Sequence, residues 1–288
     1  MNRRTFAQTL AAAAAAAASP SFALAQAEAT AGRQPATSLS VMLWTVFNNL
    51  PFEQRLEKIA EAGYSQVELV GEYAHWTEAE FARANTARKR LGIRFDATAG
   101  LGHGIGDPAA REGFLAELKA GLQPMETLGC PAMIVLSGNV VEGLSREQQH
   151  AACIETLKQA ARTIEGRTID GRPVKLLLET IDPEENPKYY LTTMAECFEV
   201  VRAVNHPQVR CLYDFFHEQI AEGNLIEKLE KNIEWIDLVH IADVPGRHEP
   251  GTGEINYTSI YRTLARLHYR GTVAMEFLPT GEPVAALR

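Results

Sequence analysis

The chain has 288 residues, 46% of them hydrophobic and 22% charged, with a formal net charge of −8. A negative balance without a basic patch argues against nucleic acid and against anionic membrane surfaces as partners. The length left after a short leader, about 250 residues, suits one large barrel domain and falls short of two comfortable ones.

The first 25 residues read as an export signal. Arg3-Arg4-Thr5-Phe6 is followed by an Ala-rich apolar stretch from Leu10 to Ala18 and by the small-residue cleavage pattern Ala23-Leu24-Ala25. The twin arginine resembles the bacterial signal that exports already folded proteins, which predicts a periplasmic location. Removing residues 1–25 takes away two arginines and no acids, so the formal charge moves from −8 to −10. No other stretch is long and apolar enough to span a bilayer, so the mature protein is expected free of the membrane. Residues 26–37 carry no periodic apolar face and read as a flexible leader, which leaves residues 38–288 for the folded domain.

From there strand-like and helix-like signals alternate. Leu39–Trp44 is a first strand, and a helix from Glu53 to Ala62 stops at Gly63. Gln66–Val70 is a second strand, followed by a polar helix from about Thr77 to Leu91 that ends at Gly92. Ile93–Ala97 is a third strand; Asp107-Pro108 then opens a long helix to Leu128, stopped by Gly129. Ala132–Leu136 is a fourth strand, and Ser145 with Gln148 forms a capping box for a helix to about Glu165. The later helices are expected over about 191–204, 220–235 and 257–267. Only twelve residues follow Glu276, so an eighth helix is expected short or missing.

Between the later helices lie four short apolar runs, Val174–Glu179, Val209–Asp214, Ile236–His240 and Val273–Glu276. Each has the composition of a buried parallel strand and ends on a side chain of the metal-ligand type. Their ends are 35, 26 and 36 residues apart, close to one strand–loop–helix unit. Eight strands, the first seven each followed by a helical pattern, predict a (β/α)₈ TIM barrel. An open doubly wound sheet would want a glycine-rich phosphate turn after its first strand, and here the chain reads Trp44-Thr-Val-Phe-Asn-Asn49.

In a barrel, Glu179, Asp214, His240 and Glu276 converge on one face. Three carboxylates that close repel unless a cation lies between them, so the pattern predicts a divalent-metal site at the barrel mouth. Three oxygen donors and one imidazole suit Mn²⁺ first, with Mg²⁺ or Co²⁺ as alternatives. Glu179 and Glu276, from non-neighbouring strands, can flank a bound ligand as catalytic base and acid. The four cysteines (130, 153, 197 and 211) include no CxxC pair and are expected as buried free thiols.

The segment Val239-His-Ile-Ala-Asp-Val-Pro-Gly-Arg-His-Glu-Pro-Gly-Thr-Gly-Glu-Ile-Asn-Tyr257 resembles the seventh strand and following loop of the hydroxypyruvate isomerase family, within the xylose isomerase-like barrels. Leu128-Gly-Cys-Pro131, Ser137-Gly-Asn139, Leu176–Glu179, Tyr213-Asp-Phe-Phe-His217 and Val273–Phe277 extend the resemblance, which is specific in the second half of the chain. It implies a metal held by Glu179, Asp214, His240 and Glu276, and His217 and Arg247 on substrate oxygens. It further implies isomerisation or epimerisation of a small sugar or keto acid by proton transfer through an enediolate. The export signal and the loop Asp182-Pro-Glu-Glu-Asn-Pro187 depart from that family, and both bear on the substrate. Two other readings stay open: a periplasmic lyase that eliminates from 3-keto glycosides, and a non-catalytic sugar-binding barrel. Homo-oligomerisation is left open as well.

Overall fold

The computed structural model describes residues 37–288; the expected export signal and residues 26–36 of the leader lie outside them. Eight parallel strands, β1 (Ser38–Met42), β2 (Gln66–Val70), β3 (Arg94–Ala99), β4 (Ala132–Leu136), β5 (Lys175–Glu179), β6 (Val209–Asp214), β7 (Ile236–Ile241) and β8 (Thr272–Met275), pair in sequence order. The barrel closes where β1 pairs with β8 from Ser38↔Thr272 to Val41↔Met275. Closure removes any unpaired edge, and the helix layer covers the outside, so strands such as Ala132–Leu136 are apolar on both faces.

The surrounding helices are α1 (Phe52–Ala62), α2 (Glu78–Leu91), α3 (Arg111–Leu128), α4 (Arg146–Ile164), α5 (Met194–Val204), α6 (Phe215–Ala221), α7 (Leu225–Asn232), α8 (Tyr257–Arg266) and α9 (Pro283–Leu287). The expected capping box is present at α4, where Ser145 accepts from Gln148 N–H and Gln148 accepts from Ser145 N–H. Gly92 and Gly129 close α2 and α3 at φ 68° and 67°, a conformation that costs other L-residues energy. The eighth helix is short: α9 has five residues.

Side chains alternate across each strand, and this sets what the barrel interior contains. Leu177, Leu212, Leu238 and Ala274 pack in one interior cluster with Met42, Ala97, Ala132 and Ile134. Two residues beyond each of those first four stand Glu179, Asp214, His240 and Glu276. The same period-2 alternation that fills the core therefore delivers the polar set to the mouth at the C-terminal ends of the strands.

Several boundaries differ from expectation. The long helix before β4 begins at Arg111 rather than at 107, because Asp107 accepts from Ala109 N–H at 2.8 Å in a turn ahead of it. The first strand stops at Met42, and Leu43–Thr45 form a 3₁₀ turn. The helix expected over 220–235 is two helices: α6 starts directly after β6, and Gly223 and Asn224, at φ 64° and 53°, break the run before α7. A short hairpin of Thr168–Ile169 and Arg172–Pro173 precedes β5. All four cysteines are buried and free. No helix among the described residues is long and apolar enough to cross a membrane.

Candidate active site

Strand register brings the four predicted donors together. Asp214 on β6 pairs in register with His240 on β7, and Glu276 N–H donates to Ile241 O one step beyond β8. Glu179 closes β5 across the mouth. One donor atom from each of the four lies within 4.8 Å of the others, and all four residues are buried.

Their electrostatics are strongly perturbed. Burial, together with the charge of Glu276, pushes Glu179 up to about 7. Burial also acts to raise Glu276, but Arg247 and then His240 outweigh it and hold this carboxyl well below the usual carboxylate range. His240 Nδ1 lies 2.7 Å from Glu276 Oε2 and 3.8 Å from Glu179 Oε1. A buried imidazole and three buried carboxylates with their ligand atoms this close form an arrangement that a cation satisfies. The three oxygens and one nitrogen fit a divalent ion of the Mn²⁺, Mg²⁺, Co²⁺ or Zn²⁺ class.

Asp214 serves two purposes at once. Its Oδ1 caps α6 by accepting from Phe216 N–H at 2.7 Å, while Oδ2 turns into the cluster. That cap starts α6 immediately after the strand and places His217 in its first turn, buried. His217 Nδ1 meets Asp182 Oδ2 at 2.6 Å, which leaves Nε2 directed toward Asp214 Oδ2 at 3.5 Å and Arg247 Nη1 at 3.2 Å.

Arg247 lies in the loop after β7, at φ 57° and only 6% exposed. Its Nη2 donates to Glu276 Oε2 at 2.6 Å and to Asp214 Oδ2 at 3.2 Å, and its Nη1 to Glu185 Oε1 at 3.1 Å. The guanidinium lies between the rings of Phe216 and Trp44, 4.8 and 5.7 Å from their centroids. The six predicted site residues thus form one connected group. A cavity of about 450 Å³ opens beside it, lined in part by Glu185, Phe216, Pro245 and Gly246.

Residues outside that prediction also join. Trp44 donates its indole N–H to Glu276 Oε1 at 2.8 Å. Glu185, which reads in sequence as a solvated loop acid, faces Arg247. Asp182 stands in sequence only as the start of a divergent loop, and Glu68 only as part of the second strand. Asp182 is fully buried and also accepts from Glu184 and Glu185 N–H at 2.8 and 2.9 Å. Glu68 Oε2 is 2.8 Å from His240 Nε2. The available signal was a single acid inside the apolar run Gln66–Val70 and an Asp-Pro pair straight after a strand. His103 stands apart and pairs with Glu117 at 2.6 Å on the surface.

The model of the family described as "Xylose isomerase-like TIM barrel" matches residues 56–287. The chain belongs to that family. Among curated proteins, 2-oxo-tetronate isomerase of Haemophilus influenzae is 32% identical over 251 residues, covering 85% of this chain and 95% of that protein. Hydroxypyruvate isomerase of Escherichia coli is 30% identical over 254 residues, covering 86% and 96%. Among solved structures, an "AP endonuclease, family 2" from Brucella melitensis superposes with a TM-score of 0.77 at 28% identity, covering 87% of this chain and 96% of that one. The D-psicose 3-epimerase of Clostridium cellulolyticum H10 shares the fold, with a TM-score of 0.72 at 18% identity and coverage of 87% and 89%.

Proposed function

We propose that this xylose isomerase-like barrel is a divalent-metal-dependent isomerase or epimerase of a small sugar or hydroxy-keto acid. The observation that carries the reading is the buried cluster of Glu179, Asp214, His240 and Glu276, whose ligand atoms all lie within 4.8 Å of one another. The named activities of the relatives at about 30% identity support the reaction class.

Those four side chains would hold the ion, Mn²⁺ being the first choice. When bound, the ion supplies Lewis acidity to a carbonyl and its neighbouring hydroxyl. The remaining steps belong to the protein. Arg247 and Nε2 of His217 grip substrate oxygens and fix the reacting carbon between Glu179 and Glu276. One of these carboxylates removes the proton beside the carbonyl to give an enediolate, and the other returns it. Return to the adjacent carbon gives aldose–ketose isomerisation; return to the same carbon from the opposite face gives epimerisation. Trp44 and Phe216 stack on Arg247 and shield this exchange from bulk water.

Residues 1–25 act in this reading as a twin-arginine export signal, so the enzyme meets its substrate in the periplasm. N-terminal sequencing of protein from a periplasmic fraction tests that step: a mature chain still starting at Met1 speaks against it.

The reaction is tested by incubating the Mn²⁺-loaded protein in D₂O with hydroxypyruvate, ketohexoses and 3-keto glycosides, with NMR as the readout. Deuterium beside the carbonyl in a product with its carbon skeleton and all oxygens conserved supports isomerisation or epimerisation. Release of an alcohol or sugar from a 3-keto glycoside, with no isomerised product, would replace it by the lyase reading. Absence of any turnover with retained sugar binding would leave a non-catalytic barrel.

A further inference from the structure

Four strands supply the donor cluster, and a fifth, β2, reaches the same imidazole from inside the barrel. Glu68 stands at the centre of β2 and is fully buried. Its Oε2 lies 2.8 Å from His240 Nε2, and its carboxyl also meets the buried Asp96. Beside it Asp96 is buried as well, its Oδ1 accepting from Ser40 Oγ at 2.7 Å. A carboxylate in the barrel interior is costly to bury, and a leucine there, in register with Met42 of the aliphatic cluster, would carry no such cost. Of its two polar neighbours, Asp96 and the ring of His240, only the ring belongs to the donor cluster.

We propose that Glu68 is the positioning residue of the metal centre: it accepts Nε2–H of His240, fixes the ring's tautomer and rotation, and so presents the Nδ1 lone pair to the cation position that Glu179, Asp214 and Glu276 would share. The inference rests on the metal-centre reading given above. A neutral imidazole has one donor and one acceptor nitrogen. With the proton held at Nε2 by Glu68, the acceptor is Nδ1, the atom that lies within reach of Glu276 and Glu179. Without Glu68 the ring can place its N–H at Nδ1 against Glu276 instead, and the fourth ligand is lost. The placement also explains why an acid stands on a strand that contributes nothing else to the cluster. A carboxylate behind a ligating histidine fixes its orientation and raises its basicity, and removing such a partner typically weakens metal binding by about 10- to 100-fold.

The test uses Co²⁺ as the probe with the chain from residue 26 onward, comparing wild type, Glu68→Gln and Glu68→Leu. Affinity is measured by calorimetry, ligand geometry by the visible absorption bands of bound Co²⁺, and folding by thermal unfolding of the metal-free proteins. Wild type is expected to take up one Co²⁺. Glu68→Leu, which offers no acceptor, is expected to bind about 100-fold more weakly with shifted bands. Glu68→Gln, isosteric and still carrying one acceptor oxygen, is expected to recover part of the loss and bind about tenfold more weakly than wild type. If the leucine variant does not fold, the glutamine variant alone decides. Wild-type affinity and an unchanged spectrum in a folded variant, even with a lowered unfolding temperature, overturn the proposal and leave the metal centre standing. Failure of wild type itself to bind Co²⁺ overturns the metal centre, and this inference with it.

Discussion

Replacing Asp182 by Asn removes one charge from a buried contact and leaves its shape nearly unchanged. The Asp182 carboxylate is fully buried and faces His217 Nδ1 at 2.6 Å, while its other oxygen anchors the loop through Glu184 and Glu185 N–H. Asn can keep its carbonyl oxygen on the loop, but its NH₂ then faces Nδ1, and the imidazole loses one of the two carboxylates, Asp214 and Asp182, that raise it to about 9 against burial. A hydrogen bond to a charged group contributes about 1.5–3 kcal/mol, and each 1.36 kcal/mol is a factor of ten in rate. Asp182→Asn is therefore expected to lower kcat/KM by roughly 10- to 150-fold. Steady-state kinetics on the best substrate gives that number, and calorimetric Mn²⁺ affinity serves as the control, because Asp182 is outside the four-donor cluster. A variant with near-normal kcat/KM would refute the role of this dyad. A large loss of Mn²⁺ affinity would show that His217 and Asp182 act through the metal centre and not on the substrate.

Three further outcomes follow from the geometry. Glu179→Gln or Glu276→Gln should reduce turnover by about 10²- to 10⁴-fold while sugar binding survives, since each removes a proton-transfer group; near-normal kcat in Glu276→Gln would exclude the two-carboxylate mechanism. Elemental analysis should find one Mn²⁺-class ion per chain, lost with activity on chelation and restored by Mn²⁺; full turnover in the chelated protein would contradict metal dependence. Leu177→Ala, which opens a hole in the interior layer directly below Glu179, should cost about 2–5 kcal/mol in denaturant unfolding, and a loss under about 1 kcal/mol would mean that the layer collapses to fill it.

Much of this site was legible in the residue order because strand alternation and repeat length are local properties. A run such as Lys175-Leu-Leu-Leu-Glu179 carries both its burial and the position of its terminal acid, and the repeat length alone places four such ends on one face. Helix boundaries were read less well where a side chain bonds to the backbone. Asp214 was read as a ligand only, yet its second oxygen starts α6 five residues before the periodicity suggested.

What the sequence by itself determined is the barrel, its eight-strand order and the membership of the four-donor set, since periodicity and spacing encode them directly. Only the tertiary structure decided which groups stand behind those donors. Glu68 and His240 are 172 positions apart, as are Trp44 and Glu276 by 232, and neither pair leaves a periodic trace. Their contacts exist because closing the barrel between β1 and β8 brings chain-distant side chains into one mouth. Inside it, burial turns weak, solvent-screened neighbours into strongly coupled partners.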